Sequence, residues 1–362
     1  MQNPPASISE GSPGDGRSAS ARIVAEWRLV SGGNLRRDPE RRTLIACSGG
    51  CDSSALAIAL AGRASPGSII IGHIVHDLRP SEQAEADART AESLAAKLGV
   101  QFVRASVAVR AAGGNLEAGA RRLRYAALAN LAREQSCPYV ATAHHADDQL
   151  ETLLMRLARG AGAKGLAGIA RRRPIDRQTP VVQLIRPMLA VLHADAMAIC
   201  RDAGWTWAED QTNRDTTRLR AAIRHTVIPP LLAAAPGAAG RAVELAEHMR
   251  ELGAMLDLEA RKLASSARCT ATDAKDQSHA TRYDRKTLQS APRPVLMTML
   301  RSAIAESGAS AMPGRMADRI TQRSLRAAAS FIQGTSGELR EFQWAGVRLI
   351  VHGENAELVS FV

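Results

Sequence analysis

Aromatic residues are scarce: four Phe, four Trp and three Tyr amount to 3% of the 362-residue chain. A core must therefore be built mainly from Ala, Leu, Ile and Val. Apolar residues still supply 45% of the sequence, which excludes disorder of the chain as a whole. Lysine is scarce for so basic a protein. There are five, at 97, 164, 262, 275 and 286, so 42 of the 47 basic residues are arginine. No apolar run approaches the roughly 18 residues that a membrane-spanning helix needs. Residues 1–20 also lack an apolar stretch; polar and rich in Gly, Ser and Pro, they read as a disordered leader rather than a secretory signal. The five cysteines (47, 51, 137, 200 and 269) are odd in number and scattered, which argues against a disulfide framework and for a reducing cytoplasm. Cys47 and Cys51 are spaced C-x3-C with no second pair, so no zinc or iron–sulfur signature is present.

What the chain has in excess is positive charge, +11 with a pI near 10.2. Arginine pairs bidentately with phosphate, so a polyanionic partner is one reading and a genome rich in Arg and Ala codons is the other. At roughly 150 residues per domain, the length allows one large domain or two to three ordinary ones.

Short β-like runs at Thr43–Cys47, Ser68–Val75, Gln101–Val109 and Pro138–Ala143 alternate with helical patterns at Ser53–Gly62, Ser81–Gly99 and Asn115–Gln135. Such alternation predicts a doubly wound parallel sheet, an α/β fold, with ligands outside the carboxyl ends of the strands. Beyond about Arg218 the texture is mainly helical: Ala221–Ala235, Gly240–Ala267, Pro292–Glu306 and Arg315–Ser330, interrupted by a polar linker over Arg268–Ala280. Residues 338–361 alternate and carry turn signals, predicting a few small strands. The expected organisation is a leader over 1–20, a nucleotide domain over 21–220, a helical domain over 221–312 and a small α/β remnant over 313–362.

The chemistry gathers at strand ends. Ser48-Gly49-Gly50-Cys51-Asp52-Ser53 follows the first run and opens a helix. Two glycines let backbone N–H groups approach an anion, Ser48 and Ser53 add hydroxyl donors, and the helix N-terminus adds partial positive charge. The string lacks the lysine of a Walker loop, so it suits a pyrophosphate leaving group. Asp52 fits there if it faces a cation such as Mg2+. A capped strand–turn–helix is the plainer alternative. His73-Ile74-Val75-His76-Asp77-Leu78-Arg79-Pro80 ends the second run, either as a ligand set or as structure. Glu117, Arg121 and Arg124 share one helix face. His144-His145-Ala146-Asp147-Asp148-Gln149-Leu150-Glu151-Thr152 leaves the fourth run. There Asp148 and Glu151 lie on one face with His144 just before the helix, a costly cluster unless something cationic or reactive binds. A Gly-rich basic loop, 159–168, follows.

The six-residue string resembles the SGGxDS signature of the PP-loop ATP pyrophosphatases, which split ATP between its α and β phosphates. The further order of motifs, HHADDQxET, RGxGxxGLxG, Ile185-Arg186-Pro187, Glu209-Asp210-Gln211-Thr212-Asn213 and Arg218-Leu219-Arg220-Ala221-Ala222-Ile223-Arg224, is similar to the tRNA(Ile)-lysidine synthase family over about 42–235. The sequence departs from the family pattern at Val75, Asp77 and Ala221-Ala222, where Asp, Gly and Arg-Asn are common.

The resemblance implies ATP held by Ser48, Gly49, Gly50, Cys51, Asp52 and Ser53, with Mg2+ at Asp52. It implies adenylation of the wobble cytidine of a CAU-anticodon isoleucine tRNA, then attack by free L-lysine. The implied catalytic residues are Asp52, Arg124, His144, Asp148 and Glu151, with the acid pair receiving the lysine cation. Arginines from 218 to 330 would hold tRNA phosphates. The alternatives are a sister thiolating PP-loop enzyme, which needs reactive cysteines, and a catalytically inactive tRNA-binding module. The oligomeric state stays open, a dimer being one reading.

Overall fold

In the computed structural model the described residues are 15–77, 81–109, 116–176, 181–208, 219–269, 280–308, 320–344 and 346–360. They fall into two compact units. The first runs to residue 246 without 160–167; the second comprises 160–167 and the chain from 247 on.

The first unit is built on a sheet whose strands are β1 (Thr43–Ala46), β2 (Ile69–His76), β3 (Gln101–Val107), β4 (Tyr139–Ala141), β5 (Arg172–Pro174) and β6 (Gln183–Ile185). Their order is β3-β2-β1-β4-β6-β5, parallel except for β5, which runs antiparallel along β6. β2 buries six consecutive residues, Ile69 to Ile74, as a strand covered on both faces must. The four longer runs expected from sequence are β1 to β4. The remaining two strands were not expected; β5 reads Arg-Arg-Pro, with no residue that favours a strand, and Pro174 survives only because β5 is an edge.

The crossover helices are α2 (Cys51–Ala61), α3 (Ser81–Leu98) and α4 (Leu116–Glu134). α5 (Ala146–Ala158) leaves β4, and α7 (His193–Asp202) packs against α2 and against the N-terminal helix. α1 (Gly16–Val30) was not expected; it overlaps the anticipated leader from residue 16 on. Its buried Ala19, Ile23, Trp27 and Val30 recur at helical spacing, and the Trp27 indole N–H donates to Thr43 Oγ1 at 3.0 Å, tying it to the start of β1. After α8 (Leu219–Ala222) the chain makes one π-helical turn over Ile223–Val227 before α9 (Ile228–Ala234), where a plain helix was expected.

α6 (Ala163–Leu166) belongs to the second unit, and α10 (Ala238–Ala267) begins in the first and continues into the second. The second unit's sheet comprises β7 (Ala280–Asp284), β8 (Arg340–Trp344), β9 (Val347–His352) and β10 (Asn355–Ser360), antiparallel in the order β7-β10-β9-β8. α11 (Arg285–Ser290), α12 (Arg293–Gly308) and α13 (Gln322–Gln333) complete it. Leu296, Leu300 and Ile304 of α12 share one core with Leu325 and Ile332 of α13 and with Val347, Leu349, Val351 and Leu358 of the sheet. The anticipated boundary at 312 lies outside the described residues, and the elements on either side of it pack together. β7 was missed because only Tyr283 of its five residues is buried.

Candidate active site

Strand order reverses between β1 and β4, and both carboxyl ends there carry the sequence motifs. This is the switch point at which open α/β sheets bind ligands. The loop Ser48–Ser53 leaves β1. Gly49 sits at φ +86, and a Cβ there would come within 3.1 Å of the Asp87 carbonyl, so only glycine fits. Ser53 Oγ accepts the Ser48 N–H at 3.1 Å, donates to Gly50 O at 3.0 Å and lies 3.2 Å from Ser48 Oγ. The loop is thereby folded back over the start of α2, beside the helix's unpaired N–H groups, as an anion cradle requires. Cys47 and Cys51 are buried beneath it as core thiols.

Asp52 points away from the core, with one carboxylate oxygen 2.7 Å from His193 Nδ1 and the other 3.7 Å from His145 Nε2. His193, the first residue of α7, carried no motif signal in sequence. His145 is buried between carboxylates: Nδ1 lies 3.1 Å from Asp147, Nε2 lies 3.5 Å from Asp148, and its N–H donates to Asp148 at 3.1 Å as the cap of α5. Burial opposes the charge on His145, but Asp147, Asp148 and Asp52 outweigh it and hold its pKa up at about 9. His193 is likewise raised, chiefly by its bond to Asp52.

The acid pair of α5 is not vacant. Glu151, 2% exposed, accepts Arg220 Nε at 2.9 Å and is bonded by Arg224 Nε. Asp148 accepts Arg220 Nη2 at 2.9 Å. Burial pushes the Asp148 carboxyl up, but the His145 charge, the His145 backbone N–H and Arg220 outweigh it and hold the pKa below the ordinary value. Arg220 in α8 and Arg224 at the start of the π turn are spaced i, i+4, and both guanidinium groups reach α5. Their pairing with the acids was not foreseen, although that spacing was visible. Between them stand the departures Ala221 and Ala222, too small to compete for the same carboxylates.

His144 does not join that pair directly; its Nδ1 is 3.0 Å from Thr142 Oγ1. Burial, with Arg186, Arg121 and Arg124 nearby, pushes its pKa down to about 3, so the ring is neutral. Those arginines form a third group. The guanidinium carbons of Arg121, Arg124 and Arg173 lie 5.3, 5.8 and 5.1 Å from the centre of the Tyr125 ring. Arg121 also donates to the Tyr125 hydroxyl at 3.2 Å. Burial works against the Tyr125 phenolate, yet Arg121, Arg186, Arg124 and Arg173 outweigh it and lower its pKa. Arg124 therefore stands in a strongly positive corner, but not within the acid pair.

Other predicted positions play supporting parts. His73 Nδ1 lies 2.8 Å from Cys47 O, and Asp77 accepts the Val109 N–H at 2.7 Å, so both brace strand ends. Gln149 accepts the Ile169 N–H at 2.6 Å beside Gly168, whose φ is +59. The Glu117 side chain and the Glu209–Asp215 motif lie outside the described residues.

The PP-loop domain family matches residues 27–231. Two curated relatives are tRNA(Ile)-lysidine synthases. The one from Bordetella pertussis is 39% identical over 227 residues, covering 60% of this chain and 67% of the relative. That from Novosphingobium aromaticivorans is 36% identical over 230 residues, covering 63% and 67%. The chain belongs to the PP-loop tRNA(Ile)-lysidine synthase family. Among solved structures, the U34-tRNA thiolase NcsA of Methanococcus maripaludis, with its 4Fe-4S cluster, superposes with a TM-score of 0.52 at 15% identity. The match covers 69% of this chain and 89% of the thiolase, and it shows the shared fold. In this chain the phosphate loop, the HHADDQxET helix and the two arginines come together at the carboxyl ends of β1 and β4. Among the described residues, the one group of three metal-ligating side chains is Asp52, His145 and His193, with no cysteine in it.

Proposed function

We propose that this chain uses ATP to join L-lysine to C2 of the wobble cytidine of the CAU-anticodon isoleucine tRNA, releasing AMP and pyrophosphate. The observation that carries it is the phosphate loop at the end of β1 beside the acid pair of α5 at the end of β4, which Arg220 and Arg224 join, in a chain of this family. No helix among the described residues is long and apolar enough to cross a membrane. The thiolating alternative finds no support at the site: all five cysteines are described and free, and four of them are buried core residues.

ATP would lay its β and γ phosphates on the backbone of 48–53, with Ser48 and Ser53 as hydroxyl donors. Asp52, the carboxylate beside that loop, would hold the divalent ion that accompanies ATP. Positive charge for the leaving pyrophosphate would be supplied at Asp52 when such an ion is bound. The cytidine C2 oxygen attacks the α-phosphorus and the bond to pyrophosphate breaks. Arg124 and Arg121 supply positive potential for the phosphate charge developing beside them.

The ε-amine of lysine then attacks C2, the bond to the AMP oxygen breaks, and the amine gives up a proton. Asp148 and Glu151 provide the negative surface for the lysine ammonium, which enters as Arg220 and Arg224 shift from them. The proton passes to one of these carboxylates or to His144. The arginines beyond 218 contribute salt-sensitive contacts to tRNA phosphates.

The test is incubation of the purified chain with ATP, Mg2+ and labelled lysine, using an isoleucine tRNA transcript with the CAU anticodon. The initiator methionine tRNA, with the same anticodon in another body, is the control. Label in the first alone, lost without ATP and in Asp52→Ala, is the expected result. Absence of both label and tRNA-dependent pyrophosphate would leave only the tRNA-binding reading.

A further inference from the structure

The side chains around Asp52 do not resemble a site made for Mg2+ alone. Mg2+ prefers oxygen, whereas this group offers one carboxylate and two imidazole nitrogens, and imidazole suits the later first-row metals. The ligand atoms of Asp52, His145 and His193 all lie within 4.8 Å of one another. Neighbouring ligand atoms around a metal with bonds of about 2.1 Å stand roughly 3 Å apart. The 2.7 Å Asp52–His193 contact and the 3.7 Å Asp52–His145 contact bracket that value, so small rotations would admit an ion.

A second observation points the same way. A metal-bound histidine usually turns its other ring nitrogen to a carboxylate, which fixes the ring. Here Asp147 stands 3.1 Å from His145 Nδ1, while Nε2 lies 3.7 Å from Asp52 and 3.5 Å from Asp148, on the opposite side of the ring. The same Asp147 carboxylate accepts the backbone N–H of His193 at 2.8 Å. One outer carboxylate thus aligns a ligand on α5 and the start of α7 that carries the other ligand. The centre of the group stays open to ligands, since the His193 and Asp52 side chains are 45% and 33% exposed.

We propose that Asp52, His145 and His193 form a nitrogen-donor site for a divalent first-row transition metal beside the phosphate loop, able to hold the ion before nucleotide arrives. Use of that ion on ATP phosphates rests on the function proposed above; binding of the ion alone does not.

The experiment uses the full chain, freed of metal by a chelator and kept without ATP. Co2+ is titrated in while its visible ligand-field bands are followed, and Mn2+ binding is read by electron paramagnetic resonance. One equivalent of Co2+ is expected, with bands of nitrogen–oxygen ligation that a large excess of Mg2+ does not erase. Asp147→Asn should weaken Co2+ by about 10- to 100-fold, the range for loss of an outer carboxylate. His193→Ala should weaken it at least as much, with circular dichroism showing that the fold is kept. Absence of a bound-Co2+ spectrum, equal affinity in His193→Ala, or ready displacement by Mg2+ would each overturn the proposal. Lysine ligation with Mg2+ and ATP, measured separately on the unmodified chain, tells failure of this site from failure of the reaction.

Discussion

Glu151 is nearly inaccessible, yet it is bonded by two arginines whose side chains are 41% and 37% exposed. Glu151→Gln keeps the shape and removes the charge. The amide NH2 would then face a guanidinium, and Asp148 would be left alone to balance Arg220 and Arg224. Breaking a fully buried pair costs about 3–5 kcal/mol; the partial exposure of both arginines lowers the expectation here to about 2 kcal/mol. Urea unfolding followed by tryptophan fluorescence would measure it. Trp27, Trp205 and Trp207 lie in the first unit, and a Trp344→Phe background removes the signal of the second. A cycle with Arg224→Gln adds the decisive comparison. If the carboxylate and guanidinium stabilise each other, the double variant should lose about 1–2 kcal/mol less than the two single losses combined. A loss below about 0.5 kcal/mol in Glu151→Gln, or additivity within that margin, would refute the claim that these arginines are tied to α5.

Gly49→Ala forces a side chain into a left-handed conformation and toward the Asp87 carbonyl; ATP binding, measured calorimetrically, should fall at least about tenfold while circular dichroism keeps the α/β signature. Arg285, 3% exposed, donates to the carbonyls of Phe331, Ile332, Gly334, Ser336 and Gly353 at 2.7–3.1 Å, and two of these close the last turn of α13. Arg285→Met should cost the second unit about 3–5 kcal/mol, seen as faster amide exchange in α13 and β9, because buried carbonyls lose charge-assisted partners. Phenolate absorbance should report one tyrosine ionising below the ordinary value of about 10 and another above it. Arginines lower Tyr125 against its burial, whereas burial raises Tyr283. For Tyr125 the ionised form is favoured by folding, so its contribution to stability appears as pH rises through the lowered folded pKa and is absent below it. Arg124→Gln should move the early transition upward; an unchanged spectrum would show that the arginine cluster does not face the ring.

Strands β1 to β4, the helices between them and the phosphate loop were legible because each is local. Apolar runs of a few residues, Ala-rich stretches at helical spacing and a Gly-Gly turn announce themselves within a window of about ten residues. The family motifs were legible for the same reason, being contiguous strings such as Ser48–Ser53 and His144–Thr152. Elements that depend on partners were not. α1 lies next to a polar leader and declares itself only by packing Trp27 against β1. β5 is Arg-Arg-Pro, with nothing in it that favours a strand, and β7 buries one side chain.

The largest gap was in charge pairing. Sequence placed Asp148 and Glu151 on one face and left them open for a cationic substrate. Folding brought Arg220 and Arg224 onto them from about 70 residues away. It also brought His193 from 141 positions along the chain to Asp52. The sequence alone thus determined the fold class, the loop that can cradle a phosphate and the family. Tertiary structure decided which charges meet, because a pairing between side chains far apart in the chain leaves no periodic trace and exists only once the sheet has set its strand ends side by side.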